Sequence, residues 1–322
     1  MKGYVIRRLL QTVPTVIVII LLNFVLIHMA SGDVTYMLLG SEVGDPETIQ
    51  HLRQTFGLDR PLHEQLLIYL AQVLQGNFGV SYWFREPVLN LILERLPATI
   101  LLMSSALSFA VILGIVLGVR SSRKPYSPMD SAITVSSLIG YSLPVFWLGE
   151  LLMVIFALWF GLLPSGGLHS VPTGQIMTTE GILDMLRHLI LPTVVLGTSQ
   201  LALIYRLTRA NMLEILGQDY IIAAKAKGLD ENAIVYGHAL RNCMLPVVTV
   251  IGINAGFMFG GAVLTETVFS WPGLGRLMYD SLLRRDYPVI MGVFIFISIM
   301  VIIFILITDI AYAYLDPRVR YK

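Results

Sequence analysis

Residues 219–246 read DYIIAAKAKGLDENAIVYGHALRNCMLP, and they form the longest polar interruption in the hydrophobic half of the chain. Asp219 can cap a helix, and the small side chains of Ala223 and Ala224 favour that helix while adding almost no bulk. Gly228 can end the helix in a left-handed conformation. The stretch therefore predicts a short helix with a low-profile surface.

A second helix is expected directly after this glycine. Asp230 can cap it, the helix runs toward Leu240, and Pro246 stands in the first turn of the following apolar run, where proline is tolerated. The helix before Gly228 is too short to be stable alone, so it needs contacts with the rest of the protein or with a partner. Its small side chains suit insertion into a cleft of another protein. A plain amphipathic linker on the membrane surface is the alternative interpretation.

The composition indicates a membrane protein that crosses the bilayer several times. Of 322 residues, 56% are hydrophobic and 13% are charged, whereas about a quarter of residues are charged in soluble domains. The net charge is +1 and the basic residues are spread along the chain, which argues against a nucleic-acid partner. The single cysteine, Cys243, has no metal-ligand spacing around it, so neither an intrachain disulfide nor a metal site is predicted.

Apolar runs divide the chain into membrane spans. About 20 helical residues cross the hydrocarbon core of a bilayer, and the runs are continuously apolar, which is typical of helices and not of barrel strands. We expect an all-α membrane protein with six transmembrane helices. The expected spans are residues 9–29, 97–119, 132–160, 189–205, 247–269 and 289–310.

Three regions follow from these spans. Residues 1–30 are the N-terminus and the first span, residues 31–96 are an outer segment, and residues 97–322 are the core with the other five spans. In the outer segment, runs 64–74 and 88–95 are compatible with helix, so we expect a small helical element. It either covers the outer mouth or is a surface hairpin that serves stability only. The later outer loop, residues 161–188, is rich in glycine and proline and is expected to be irregular.

Lysine and arginine set the predicted orientation. They concentrate at residues 2–8, 120–124, 206–241 and 318–322, which all fall on one side of a six-span chain. That side is predicted to be cytoplasmic. Both termini and the loop 208–246 would therefore face the cytoplasm.

Polar residues within the spans are candidates for a translocation path, because a charge at membrane depth is costly. Glu150 in the third span is the clearest case, with an internally hydrogen-bonded or interfacial carboxyl as the alternative. Tyr141 and Asn254 are further candidates for the same path.

A glycine stripe marks the fifth span. Gly252, Gly256 and Gly260 recur every fourth residue, a pattern that lets helix backbones approach closely. We predict that the stripe packs against another helix. A pore lined by backbone at this stripe is the alternative.

Motifs for energy conversion and hydrolysis are missing from the sequence. It contains no Gly-Lys dipeptide, which the phosphate-binding loop of ATPases requires. The HExxH zinc motif and the GxSxG nucleophile motif are also missing. The chain is predicted to be non-catalytic, so a pump built on it needs an ATPase partner.

Residues 219–246 resemble the cytoplasmic EAA loop of binding-protein-dependent ABC importer permeases, in the family that transports dipeptides, oligopeptides and nickel. The match rests on Ala223, Ala224, Gly228 and the pair Leu245-Pro246. Ile222 stands where the general motif has glutamate, and the Leu-Pro pair comes later than in the general pattern, both as in the peptide subfamily. Other stretches resemble the family in order, among them RRLLQTVPT, HMASGD, GNFGVSY and ETVFSWPGLGR.

The resemblance implies a type I ABC importer permease in the bacterial cytoplasmic (inner) membrane. Such a permease pairs with a second, homologous permease, two ATPase subunits that bind ATP and magnesium, and an external solute-binding protein. This chain would hold no cofactor, and substrate would cross between the two permeases by alternating access. The ATPase-coupling residues carried over are Asp219, Tyr220, Ala223, Ala224, Lys227, Gly228 and Leu229.

The substrate and the transport class leave alternatives. Dipeptides or oligopeptides are expected, but nickel chelates, glutathione, opines and oligosaccharides are carried by the same permease type. An ion-coupled secondary transporter is a rival, although the broken helices related by internal symmetry that mark such proteins are not visible. A channel or membrane scaffold is a second rival.

Overall fold

A computed structural model of the chain describes residues 2–29, 60–170 and 178–315. Within these residues the structure is helical, and the one strand-like feature is an isolated bridge between Val80 and Pro87. The helices are α1 (Lys2–Met29), α2 (Leu62–Leu74), α3 (Val88–Arg123), α4 (Pro128–Ser142), α5 (Val145–Met153), α6 (Thr179–Leu216), α7 (Asp219–Ala226), α8 (Leu240–Val268), α9 (Leu274–Leu283) and α10 (Tyr287–Leu315). Two π-helical segments adjoin them, Val154–Trp159 after α5 and Ala233–Ala239 before α8.

Four helical segments in the described part of the chain are long and apolar enough to cross a membrane: Val88–Arg123, Thr179–Leu216, Ala233–Phe259 and Tyr287–Thr308. They contain or overlap the expected second, fourth, fifth and sixth spans. The first helix carries a shorter apolar stretch, Leu10–Val25. The all-α membrane architecture expected from the apolar runs is therefore confirmed.

The expected third span, residues 132–160, is not one straight helix. It consists of α4 and α5, whose axes are bent by 105°. Leu143 is extended, with φ −74° and ψ 132°, and Pro144 follows it. A residue before proline is pushed out of the helical region, and proline itself has no N–H to donate. Hydropathy alone missed the break because the residues on both sides of Pro144 are apolar.

Two expectations concern the segments 31–96 and 161–188. The run 88–95 is helical as predicted, and it is the first part of α3, which begins at Val88 and continues through Pro97. Residues 161–188 are only partly irregular, because α6 begins at Thr179, where the Thr178 hydroxyl accepts the N–H of Gly181 at 3.2 Å. The predicted helix at residues 64–74 is confirmed as α2. Residues 31–59, the rest of the expected outer element, lie outside the described residues.

The long helices α3 and α6 form the central pair. Gly114 and Gly118 lie where they meet, and a Cβ on these residues would stand 2.9 Å from Ile204 and 2.7 Å from Thr208. Glycine thus permits the close approach of the two backbones. The main core cluster joins this pair to α8, with the fully buried Trp271 included.

Candidate functional site

Helix α7 is the short helix expected in residues 219–246. It follows a turn at the end of α6, where the N–H groups of Gly217 and Gln218 bond to Glu214 and Ile215 at 3.2 and 3.0 Å. The predicted cap by Asp219 is wrong: Gln218 occupies the cap position and makes no side-chain cap bond. Asp219 is the first helical residue because the turn from α6 ends one residue earlier. Its carboxylate still lies in the first turn, where negative charge is favoured.

The helix ends at the predicted glycine. Gly228 has φ +77°, and its N–H bonds to the carbonyl of Lys225 at 3.0 Å. A residue with a Cβ is strained in this conformation, although no atom lies within 4 Å of the position a Cβ would occupy. Glycine is therefore favoured at this position by the backbone conformation and not by lack of space.

A second helical segment follows, as expected, and Asp230 caps it by accepting the N–H of Asn232 at 2.9 Å. The expected position of Pro246 is wrong. Because this segment continues through Ala233–Ala239 into α8, Pro246 lies inside a helix and not in a first turn. An interior proline leaves one backbone carbonyl of the helix without its usual donor.

The underside of α7 is anchored in an apolar cluster. Ile221 is fully buried in a cluster that also contains Met212 of α6, Val235 of the π-helical segment and Cys243 of α8. Burying an isoleucine side chain contributes about 1.5–3 kcal/mol. The cluster thus joins the short helix to residues of the longer helices α3, α6 and α8. Sequence analysis missed Ile221, although its spacing of three residues from the partly buried Ala224 is the pattern of one helix face.

The other side of α7 is exposed. Ile222 is 56% exposed and Tyr220 is 40% exposed, although isoleucine is usually buried. Of the seven predicted coupling residues, all but Ala224 are exposed, namely Asp219, Tyr220, Ala223, Lys227, Gly228 and Leu229. The exposed face therefore combines little bulk with apolar and cationic side chains. Such a surface can enter a cleft of a partner protein.

Two polar contacts hold α7 and the residues that follow it against α8 and α3. Asn242 Nδ2 donates to Tyr220 Oη at 2.9 Å, and Arg123 pairs with Glu231 at 3.1 Å. The sequence did not predict these contacts, because their partners lie far apart along the chain. A cleft of about 330 Å³ lies beside the ion pair, lined by Ser122, Arg123, Pro125, Leu213, Leu216, Gly217, Lys225, Glu231, Ile234 and Val235.

The candidates for the translocation path lie in different environments. Tyr141 near the end of α4 and Glu150 on α5 are exposed, on opposite sides of the bend. Asn254 is half-buried, and its amide donates to the carbonyl of Val250 in its own helix at 2.8 Å. Within the described residues, no group of three or more His, Cys, Asp or Glu side chains is placed to hold a metal ion.

The glycine stripe of α8 faces α10. A Cβ on Gly252 would collide with the side chain of Thr308, and a Cβ on Gly256 would lie 3.3 Å from the carbonyl oxygen of Val301. The surroundings of Gly260 lie outside the described residues. At the two described positions the glycines allow α8 and α10 to pack closely.

A buried polar cluster joins the end of α8 to α3. The carboxylate of Glu266 accepts the hydroxyl of Thr99 at 2.7 Å and the N–H of Arg276 at 3.0 Å. The Thr99 oxygen in turn accepts the N–H of Leu274 at 2.8 Å, and Trp271 Nε1 donates to the carbonyl of Ala98 at 2.9 Å. Glu266 is fully buried. The stretch ETVFSWPGLGR thus folds onto α3, a contact that sequence spacing gives no signal for.

Comparisons with known proteins show the family of the chain. The model of the family "Binding-protein-dependent transport system inner membrane component" matches residues 110–321, and its N-terminal companion model matches residues 1–103. The oligopeptide transport system permease protein AppB of Bacillus subtilis is 40% identical over 322 residues, covering all of both chains. The dipeptide transport system permease protein DppB of Escherichia coli K12 is 41% identical over 338 residues, again covering all of both chains.

A solved structure shares the fold. A chain of the MetNI methionine ABC transporter, solved in inward-facing conformations, superposes with a TM-score of 0.56 at 19% identity. The likeness covers 70% of this chain and 96% of that chain. The chain therefore belongs to the family of binding-protein-dependent transport system inner membrane components.

Proposed function

We propose that this chain is the permease subunit of an ATP-driven ABC importer that moves dipeptides or oligopeptides across the bacterial cytoplasmic membrane. The observation that carries the proposal is the full-length similarity, at 40% and 41% identity, to permeases named for oligopeptide and dipeptide transport. The sequence motifs for ATP binding and hydrolysis are missing, so the chain is a non-catalytic subunit and its ATPase is a partner.

The proposed topology has six spans. Four are the long apolar helical segments, the fifth is the bent pair of α4 and α5, and the sixth is α1 with its apolar stretch Leu10–Val25. The distribution of lysine and arginine supports a cytoplasmic location for both termini and for residues 208–246. The exposed face of α7 then points to the compartment that contains ATP.

Coupling would work through the anchor of α7. Its exposed face docks into a cleft of an ATPase subunit, and Ile221 transmits the displacement to the cluster beneath. That cluster includes Val119 of α3, Met212 of α6 and Val247 of α8. Because packed interiors are hardly compressible, a push on α7 moves the ends of three long helices together. Such a movement is what alternating access between two permeases requires.

The remaining partners are a second, homologous permease, a second ATPase subunit and an external solute-binding protein. The translocation path would lie between the two permeases, and the exposure of Glu150 and Tyr141 supports a contribution of both residues to it. A carboxylate on an apolar helix that faced only lipid would be costly, which favours a path or a partner beside Glu150. Asn254 is a weaker candidate because its amide is bonded within its own helix.

Copurification and reconstitution test this function. The complex purified from native membranes in mild detergent should contain ATPase subunits, and in proteoliposomes it should take up labelled dialanine or pentaalanine only with ATP and the binding protein. Uptake without any ATPase would instead support an ion-coupled transporter or a channel. Uptake of neither peptide by an active complex would overturn the peptide assignment.

Variants of Gly228 test the coupling assignment within that complex. Gly228→Val combines strain in the left-handed conformation with bulk on the exposed face, so uptake per ATP hydrolysed should fall. Asparagine adopts this left-handed conformation readily, so Gly228→Asn adds a side chain with little backbone strain. Comparison of the two variants therefore separates the effect of bulk on the docking surface from the effect of backbone strain. Gly237→Ala is the control, because Gly237 has open space around it and no positive φ. Normal coupling in both Gly228 variants would show that this surface does not receive the ATPase.

A further inference from the structure

Helix α4 has no fully buried apolar side chain. Its two buried residues are Asp130 and Ser137, both polar. Most of its large apolar side chains are exposed, namely Met129, Val135, Leu138, Ile139 and Tyr141, and Ile133 is half-buried. A helix in a folded protein is usually held through an apolar face. The attachment of α4 to the rest of the chain must therefore depend largely on other contacts.

Polar contacts attach α4 to α6. Arg209 donates two hydrogen bonds to Asp130, from Nε to Oδ1 at 2.7 Å and from Nη2 to Oδ2 at 2.6 Å. One turn further along α4, Thr134 shares a 2.7 Å hydrogen bond with the hydroxyl of Tyr205, which lies one turn before Arg209. These four residues are called the polar ladder. The second contact lies one turn later in α4 and one turn earlier in α6 than the first, so the two helices run antiparallel.

Asp130 is the centre of the polar ladder. Its side chain is 3% exposed, that of Arg209 is 22% exposed, and the hydroxyl of Tyr205 lies 3.4 Å from Asp130 Oδ1. The backbone N–H of Tyr126 also donates to Asp130 Oδ2 at 2.8 Å, so the carboxylate orders the connection from α3 as well. Removing one member of a buried, doubly hydrogen-bonded pair leaves an uncompensated charge. The contact is therefore expensive to break and well suited to transmitting force.

The two halves of the bent pair are attached to α6 by different chemistry. α4 is held near the cytoplasmic end of α6 by the polar ladder. α5 packs through Val145, Leu148 and other apolar residues against Leu191 and Val195, which lie near the middle of α6. The extended Leu143 lies between the two attachments. The N–H of Leu143 still bonds to the carbonyl of Ile139 at 3.2 Å and closes the last turn of α4. Its ψ of 132° takes the chain out of the helix, and Pro144 has no N–H to continue the helical bonds, so the joint between these two residues can act as a hinge.

We propose that Asp130 and Arg209 are positioning residues that make α4 follow the cytoplasmic end of α6 when α7 is displaced, while the break at Leu143 absorbs the difference from α5. Arg209 lies on the part of α6 that leads directly into α7. The polar ladder thereby extends the coupling movement to the exposed helix that leads to Tyr141 and Glu150. This role rests on the proposed function, because it requires that α7 receive movement from an ATPase.

Substitutions in the complete complex test the polar ladder. Asp130→Asn keeps the shape of the side chain and removes its charge, and Arg209→Lys keeps the charge and loses the fork of two donors. In proteoliposomes, uptake per ATP hydrolysed should fall roughly two- to thirtyfold in each, the range seen for mutations along coupled networks. The control is Arg206→Lys, because Arg206 lies on the same helix but is exposed. The reversed pair, with Asp130→Arg and Arg209→Asp combined, should recover part of the coupling.

A purely structural role would give a different result. It predicts less assembled complex, with uptake per ATP in the remaining complex equal to wild type, and this outcome overturns the proposal. If Asp130→Asn does not assemble, Tyr205→Phe decides, because it removes the hydroxyl that bonds Thr134 and Asp130 but leaves both hydrogen bonds between Arg209 and Asp130. Tyr205→Phe should lower uptake per ATP by a smaller factor than Arg209→Lys does. Unchanged coupling in Tyr205→Phe and Arg209→Lys would reject the polar ladder as a transmitting contact.

Failure of this proposal and failure of the proposed function are distinguishable. If the wild-type complex shows no ATP-driven uptake, or if both Gly228 variants couple normally, the coupling function itself fails. If the wild type couples and the Gly228 variants do not, while the variants of Asp130, Arg209 and Tyr205 remain coupled, only the proposal about the polar ladder fails.

Discussion

The side-chain amide of Asn242 donates a 2.9 Å hydrogen bond to the phenolic oxygen of Tyr220, which joins the first turn of α8 directly to the first turn of α7. Both residues are exposed. The bond therefore lies on the exposed side of α7, whereas Ile221 is buried on the opposite side. Together the two contacts fix the orientation of α7 relative to α8.

Tyr220→Phe removes the phenolic oxygen and keeps the ring. The bond is exposed to solvent, so the free energy of unfolding should fall by no more than about 1 kcal/mol. Uptake per ATP hydrolysed should fall more clearly, because α7 is less firmly oriented toward α8. Tyr236→Phe is the control, since Tyr236 is 53% exposed in the neighbouring π-helical segment. Wild-type uptake in Tyr220→Phe would show that this bond does not contribute to coupling.

The adjacent residues Ile221 and Ile222 provide a matched pair. Ile221 is fully buried and Ile222 is 56% exposed. Ile221→Ala leaves a cavity and should lower the free energy of unfolding by about 2–5 kcal/mol, which thermal unfolding in detergent measures. Ile222→Ala should change it by less than about 0.5 kcal/mol and should instead weaken copurification with the ATPase. Equal stability losses in the two variants would contradict the placement of α7.

Thr99→Val tests the buried polar cluster at the other end of the core. Thr99 donates to Glu266 and accepts from Leu274, so valine leaves the Leu274 N–H unpaired and removes one of the hydrogen bonds of Glu266. A buried group without its partner costs about 1–3 kcal/mol, and the melting temperature should fall accordingly. Ser104→Ala is the control on the same helix, because the exposed Ser104 bonds only to its own backbone at Ile100. Similar melting temperatures for both variants would count against the cluster.

Glu150→Gln tests the translocation path. The carboxylate is exposed on α5 in the isolated chain, and a charge in a membrane helix is retained mainly where it has a partner or a polar path. Replacement should change the substrate affinity or the transport rate more than the amount of protein in the membrane. Glu94→Gln, at an exposed position on α3, is the control. If Glu150→Gln transports as wild type at equal expression, Glu150 does not belong to the path.

Local signals account for what could be predicted about the fold. Continuous apolar runs predicted helices at the positions of α3, α6, α8 and α10, because lipid requires backbone groups to be satisfied within each segment. The glycine stop at Gly228 was also predictable, since it depends on the conformation of a single residue. The break at Leu143 was missed, although Pro144 carried the signal, because hydropathy does not respond to backbone geometry.

The sequence by itself determined that the chain is an all-α membrane protein, to which family it belongs, and where a short, small-sided helix interrupts the apolar segments. These properties depend on composition, periodicity and residue types at short spacing. Only the tertiary structure decided which side of α7 is buried, that Thr99 meets Glu266, and that Asp130 meets Arg209. The last two contacts join residues 167 and 79 positions apart. Such pairs form because buried polar groups need hydrogen-bond partners, and packing brings those partners close from distant parts of the chain. The spacing of the residues along the sequence therefore does not predict the pairs.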